Sequence, residues 1–176
     1  MLESLLKEIV NKLEINGIPY MISGSLAMSA YTVPRMTRHI DIVIDIGTDD
    51  LHKFLSLFDS NFYINPRTVD EETRRRWMFN VIDHRSGYKI DFVVKKNSTY
   101  RRTEFERRVR SELLGIDAWL VSVEDLVLSK LIWVQEVQSD KQFEDIKNLL
   151  ENTTIDLHYM KRWIRELNLN TFEFNL

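Results

Sequence analysis

The chain has 176 residues, carries 24 Lys+Arg against 27 Asp+Glu for a net charge of −3, and is 44% apolar. That length suits one domain, and that apolar share excludes an extended disordered chain. The absence of cysteine excludes disulfides, Cys-based zinc sites and thiol catalysis, and the slight acidity argues against a globally basic nucleic-acid coat.

The N-terminus, MLESLLKEIV, places Glu3, Lys7 and Glu8 where a signal peptide needs an apolar core. No uncharged apolar run approaches the ~20 residues of a membrane span. A soluble, cytoplasmic protein with no membrane partner is expected. Leu5, Leu6, Ile9, Val10 and Leu13 recur at helical spacing and Gly17 follows as a stop, which predicts a helix over 2–15. Ile18 to Ser23 reads as a short strand ending at Gly24-Ser25. Leu26 to Tyr31 reads as a helix that breaks before Pro34.

IDIVIDI at 40–46 alternates, with its four isoleucines on one face and Asp41, Val43 and Asp45 on the other. A helix is predicted over 51–58, and a short helix or a loop over 69–76. Met78–Ile82 and Tyr88–Val94 flank a turn-like segment and predict a hairpin. One or two short strands are expected within 106–121. Helices are predicted over 122–136, 140–151 and 156–167, with Ser122/Asp125 and Ser139/Gln142 as capping-box pairs. The last residues, TFEFNL, read as a tail or a short docking segment. The expected fold class is α+β: a mixed sheet with flanking helices over 1–121, then a helical C-terminal region over 122–176 packed on it.

Three features bear on chemistry. A strand running through Gly24-Ser25 into a helix presents backbone N–H groups and a hydroxyl to an anion, although a Gly-Ser at a strand end is by itself more often just a turn. Asp41 lies on the open face of its strand, where a carboxylate beside phosphate suits a hard cation. For Asp45 a solvated strand position is the preferred reading. Asp91 stands between Ile90 and Phe92, a costly place for a carboxylate without a partner or a metal.

Residues 95–110, KKNSTYRRTEFERRVR, hold seven Lys/Arg and two Glu, a local +5 interleaved with Tyr100 and Phe105. A solvated edge strand and a contact for a phosphate-rich partner explain this stretch equally well. His52, His84 and His158 lack metal-ligand spacing, and core packing is the default for the four tryptophans.

The ordered set GSLAMSAYTVPRMTRHIDIVIDI, then Asp91, then SVEDLVLSKL and QFEDIKNLL, resembles the nucleotidyltransferase superfamily with the DNA polymerase β fold. It is most similar to the minimal bacterial nucleotidyltransferases of the AbiEii toxin type, and the resemblance spans residues 18–150. It implies that Gly24 and Ser25 position phosphate and that Arg35 and Thr37 lead into the metal strand. It implies that Asp41 and Asp91 are metal-binding carboxylates, with Asp91 also acting on the attacking hydroxyl. Lys130 and Asp145 match polar positions linked to activity, and Lys130 is a candidate triphosphate contact.

The implied reaction moves a nucleoside monophosphate from an NTP to a hydroxyl on RNA, protein or a small molecule, with Mg²⁺ or Mn²⁺. The RNA or protein acceptor would meet the basic stretch. One position departs from the pattern: His39 stands where the family has the first Asp of Asp-x-Asp. Two readings follow, a ligand for a softer ion such as Mn²⁺ or Zn²⁺, or weakened metal binding in a nucleotide-binding module, as in one half of a toxin–antitoxin pair.

Overall fold

The structure, a computed structural model, describes residues 1–34 and 36–176. Helix α1 (Leu2–Ile15) buries the predicted stripe and closes through Gly17, whose φ of +62° lets the Ile18 amide reach back to the Leu13 carbonyl. There follow β1 (Tyr20–Ser23), α2 (Gly24–Met28), β2 (His39–Ile44) and, after one 3₁₀ turn, α3 (Leu51–Leu55). Next come β3 (Phe62–Tyr63), α4 (Pro66–Arg75), β4 (Met78–Asp83), β5 (Lys89–Val94) and α5 (Thr99–Glu106). The chain finishes with β6 (Val109–Leu113), β7 (Ile116–Leu120), α6 (Val123–Glu136), α7 (Asp140–Asn152) and α8 (Leu157–Glu166).

The strands form one mixed sheet in the order β3-β4-β5-β2-β1-β7-β6. β2 runs antiparallel to β1 and parallel to β5, and β4 and β5 form the predicted hairpin. The isoleucine face of β2 is buried with Ile22, Ile90, Phe92, Phe79 and Val81. On that face Phe54 of α3 meets Phe92 and Phe79 edge-on, and Glu14 of α1 accepts a 2.7 Å hydrogen bond from Tyr20. The other face carries Ser23, Asp41 and Asp91.

Three expectations need correction. Most of the basic stretch is not an edge strand: Ser98 caps α5 by accepting from the Arg101 amide, and the edge strand proper begins at Val109. Periodicity hides this helix because one of its three inward positions is charged. Glu104 is buried beside Tyr100 and Phe105, and is held by Arg101 at 2.8 Å and by the Ser129 hydroxyl.

Ser139 makes no side-chain cap bond among the described residues, and the Gln142 side chain of the expected box instead accepts from Lys130 at 3.0 Å. Ser122 does cap α6, accepting from the Asp125 amide. The tryptophans divide: Trp163 is buried, whereas Trp77 and Trp133 are exposed, Trp77 lying under Lys96. The C-terminal tail docks through Phe172 and Phe174 on Phe143 of α7.

Candidate active site

The site grows from one row of the sheet. Ser23, Asp41 and Asp91 are direct cross-strand neighbours on β1, β2 and β5, and the row continues to Asn80 on β4. Neighbours in register share a face, so the two carboxylates stand side by side. Gly24 follows Ser23 at φ +63°, and a Cβ placed on it would lie 2.1 Å from Oδ2 of Asp41. Only glycine lets the turn into α2 close over that carboxylate. Ser25 is the next residue of this turn.

Asp91 is 4% exposed. Nδ1 of His39 lies 3.2 Å from its Oδ2 and Nζ of Lys89 lies 3.1 Å from its Oδ1. The lysine contact is an ion pair only, and Oδ1 is a buried acceptor with no hydrogen bond of proper geometry among the described residues. Asp41 is half-buried. Burial pushes its carboxyl above the usual range and the charge of Asp91 pushes it further; His39, Lys130 and Lys89 pull it back in part.

Lys130 therefore acts on the sheet from α6. Its ammonium is buried, 2.7 Å from Oδ2 of Asp145 on α7. Both side chains are thus buried and paired between α6 and α7. Thr37 exchanges hydrogen bonds with the backbone of His39, which fixes the entry into β2. Arg35 lies outside the described residues.

Lys89 and Asn80 belong to the site by position although no sequence motif marks them. Lys89 was readable as the residue two before Asp91 on one strand, hence on the same face. Asn80 needed the hairpin register.

Among the described residues no three His, Cys, Asp or Glu side chains are arranged to hold a metal by themselves. The adjacent carboxylates, of which Asp41 has no ion pair among the described residues, do suit one hard cation whose remaining ligands come from substrate phosphates and water. They do not suit a second, because an imidazole and an ammonium already face Asp91.

The basic stretch is largely occupied within the fold. Lys95 pairs with Asp45, Arg101 with Glu104, Arg107 with Glu124 and the fully buried Asp125, and Arg110 with Glu14 and Asp117. Arg108 stacks between Phe105 and Trp119.

A family model described as "Nucleotidyltransferase of unknown function (DUF6036)" matches residues 1–174. No curated protein sequence matches significantly. The fold is that of solved nucleotidyltransferases. One is ANT(2")-Ia in complex with adenylyl-2"-tobramycin, at TM-score 0.65 and 12% identity over 95% of this chain and 97% of that one. Another is the lincosamide antibiotic adenylyltransferase LnuA, lincomycin-bound, at 0.55 and 14% over 82% and 94%. A third, an antigenic nucleotidyltransferase-like protein from Paracoccidioides brasiliensis, aligns at 0.59 and 16% over 94% and 88%. At these identities the likeness carries the fold alone.

Proposed function

The chain belongs to this nucleotidyltransferase family, and we propose that it moves a nucleoside monophosphate from an NTP to a hydroxyl of a small-molecule acceptor. The observation that carries the reading is the Asp41–Asp91 pair, in direct register beside a glycine turn closed over one of them. The acceptor oxygen would bond to the α-phosphorus as the bond to the bridging oxygen breaks, and pyrophosphate would leave.

Asp41 and Asp91 would hold a divalent cation, Mg²⁺ or Mn²⁺, whose charge offsets that of the phosphates. Asp91, whose Oδ1 lacks a full hydrogen bond, would orient the acceptor hydroxyl and take its proton. Gly24 and Ser25 would lie against the phosphates, and Lys130 would add a positive charge from α6. Asp145 and Gln142 would keep that ammonium in place. Arg35 and Thr37 would steer the segment that enters β2.

A small acceptor is favoured over RNA because most of the cations of 95–110 already have partners inside the fold. The solved neighbours named for antibiotic substrates are compatible with that choice. A second reading, a nucleotide-binding module without transfer, is favoured by one observation: position 39 offers an imidazole turned to Asp91. Both readings meet in one experiment. Transfer of label from each α-³²P NTP to a panel of hydroxyl compounds, RNA and protein is measured with Mg²⁺ and with Mn²⁺. Label on a small molecule that disappears in Asp41→Asn and Asp91→Asn supports the enzyme. Nucleotide binding with no transfer to any acceptor supports the module.

A further inference from the structure

His39 and Lys89 are cross-strand neighbours one step along the same face from Asp41 and Asp91. Four side chains thus form a square, with one imidazole and one ammonium beside two carboxylates. Lys89 has little choice of anion. Its other cross-strand neighbour is Ile82 on β4, and Asp91, two residues on, is the carboxylate 3.1 Å from its Nζ. β5 is hydrogen-bonded on both sides, by β2 and by β4, so the strand holds that spacing fixed. A carboxylate that is 4% exposed demands a compensating charge nearby, and here a covalently tethered ammonium supplies it.

We propose that Lys89 takes, as a fixed ammonium on Asp91, the place in the charge balance that a second divalent ion would fill, so that the site binds one divalent cation with its nucleotide. This rests on the reading of the site as a nucleotide-transfer centre. A second dication at Asp91 would have to enter against the ammonium on Oδ1, since like charges at contact distance repel, and would have to displace the imidazole from Oδ2. The first cation meets less opposition. Asp41 stands in direct register with Asp91, is half-buried and has no ion pair of its own among the described residues, so a cation there meets two carboxylates and no ammonium paired with Asp41. In this arrangement Lys89 is a positioning residue, acting through Asp91 and not on the reacting atoms.

The test counts ions. The protein is saturated with whichever α,β-methylene NTP binds it, and bound Mn²⁺ is obtained from the EPR signal of the free ion, with bound nucleotide measured in parallel. Wild type is expected to hold one Mn²⁺ per bound nucleotide, and Lys89→Arg, which keeps the charge, also one. The double variant His39→Asp/Lys89→Ala is expected to hold two. Two Mn²⁺ in the wild type overturns the proposal while leaving nucleotide transfer standing, and it does so without any variant having to fold. One Mn²⁺ in the folded double variant overturns the role given to Lys89. Failure of the α,β-methylene analogues of ATP, GTP, CTP and UTP to bind with Mn²⁺ removes the transfer reading itself, and this proposal with it.

Discussion

One methyl group added at Gly24 would overlap the Asp41 carboxylate and would also have to be carried at φ +63°. Gly24→Ala is therefore expected to lose more than ~1 kcal/mol of stability and to abolish nucleotide binding, read by thermal melting and by equilibrium dialysis. Asp41→Asn should separate folding from function. The folded-state carboxyl of Asp41 is raised by burial first and by Asp91 second. A raised folded pKa means that stability is full below the unfolded value and declines as pH rises through the folded one. The amide carries no such cost, so Asp41→Asn should melt higher than wild type at neutral pH, with the gain vanishing at acid pH, while transfer is lost. Each kcal/mol moves Tm by roughly 2–4 °C in a chain of this size, which a melting series at several pH values resolves. At this scale the sequence was informative where chemistry was unusual. An aspartate between Ile90 and Phe92 and a Gly-Ser at a strand end both stood out. Asn80 did not, because an asparagine on a strand looks like an ordinary solvent-facing residue until the register places it beside Asp91, and Lys89, although on the same strand face as Asp91, carries no motif that marks it.

Helices α6 and α7 meet through the buried Lys130–Asp145 pair, with Gln142 as a third member. Removing one charge leaves the other buried, which typically costs ~3–5 kcal/mol, whereas replacing both with apolar groups of similar size is often neutral. Asp145→Ala should accordingly lower Tm strongly, and Lys130→Met/Asp145→Leu should restore most of the loss while leaving transfer absent. Urea melts and the transfer assay read the two effects separately. Elements whose inward faces are apolar were legible from spacing: α1, the β4–β5 hairpin and α6 fall within a few residues of their predicted bounds. α5 was hidden because Glu104 occupies an inward position and Arg101 follows it into the fold, so the helix reads as a charge run. The same internal pairing ties Lys95, Arg101, Arg107 and Arg110 of the basic stretch to carboxylates of the fold.

For the molecule as a whole, the net charge of −3 and the partners found for most of the cations of 95–110 leave little to attract a polyanion. Mobility-shift titration with tRNA-sized RNA is expected to show no binding at physiological salt. A complex that weakens steeply as salt rises would contradict this and point to RNA as the acceptor. The mixed α+β architecture was legible from the order of its elements, but the strand order was not, since pairing between distant segments leaves no local pattern. That order has a consequence for synthesis. β1 sits between β2 and β7, and Ile22 pairs with Leu120, which the ribosome delivers almost a hundred residues later. During that interval the outer edge of β1, whose Tyr20, Met21 and Ile22 end up almost fully buried, has no strand beside it. A nascent chain stalled before β7 emerges presents an open apolar edge of the kind that seeds aggregation. The residues that complete the sheet at Leu120 thus act as a late seal, and the two carboxylates gain a fully closed scaffold only once it has formed.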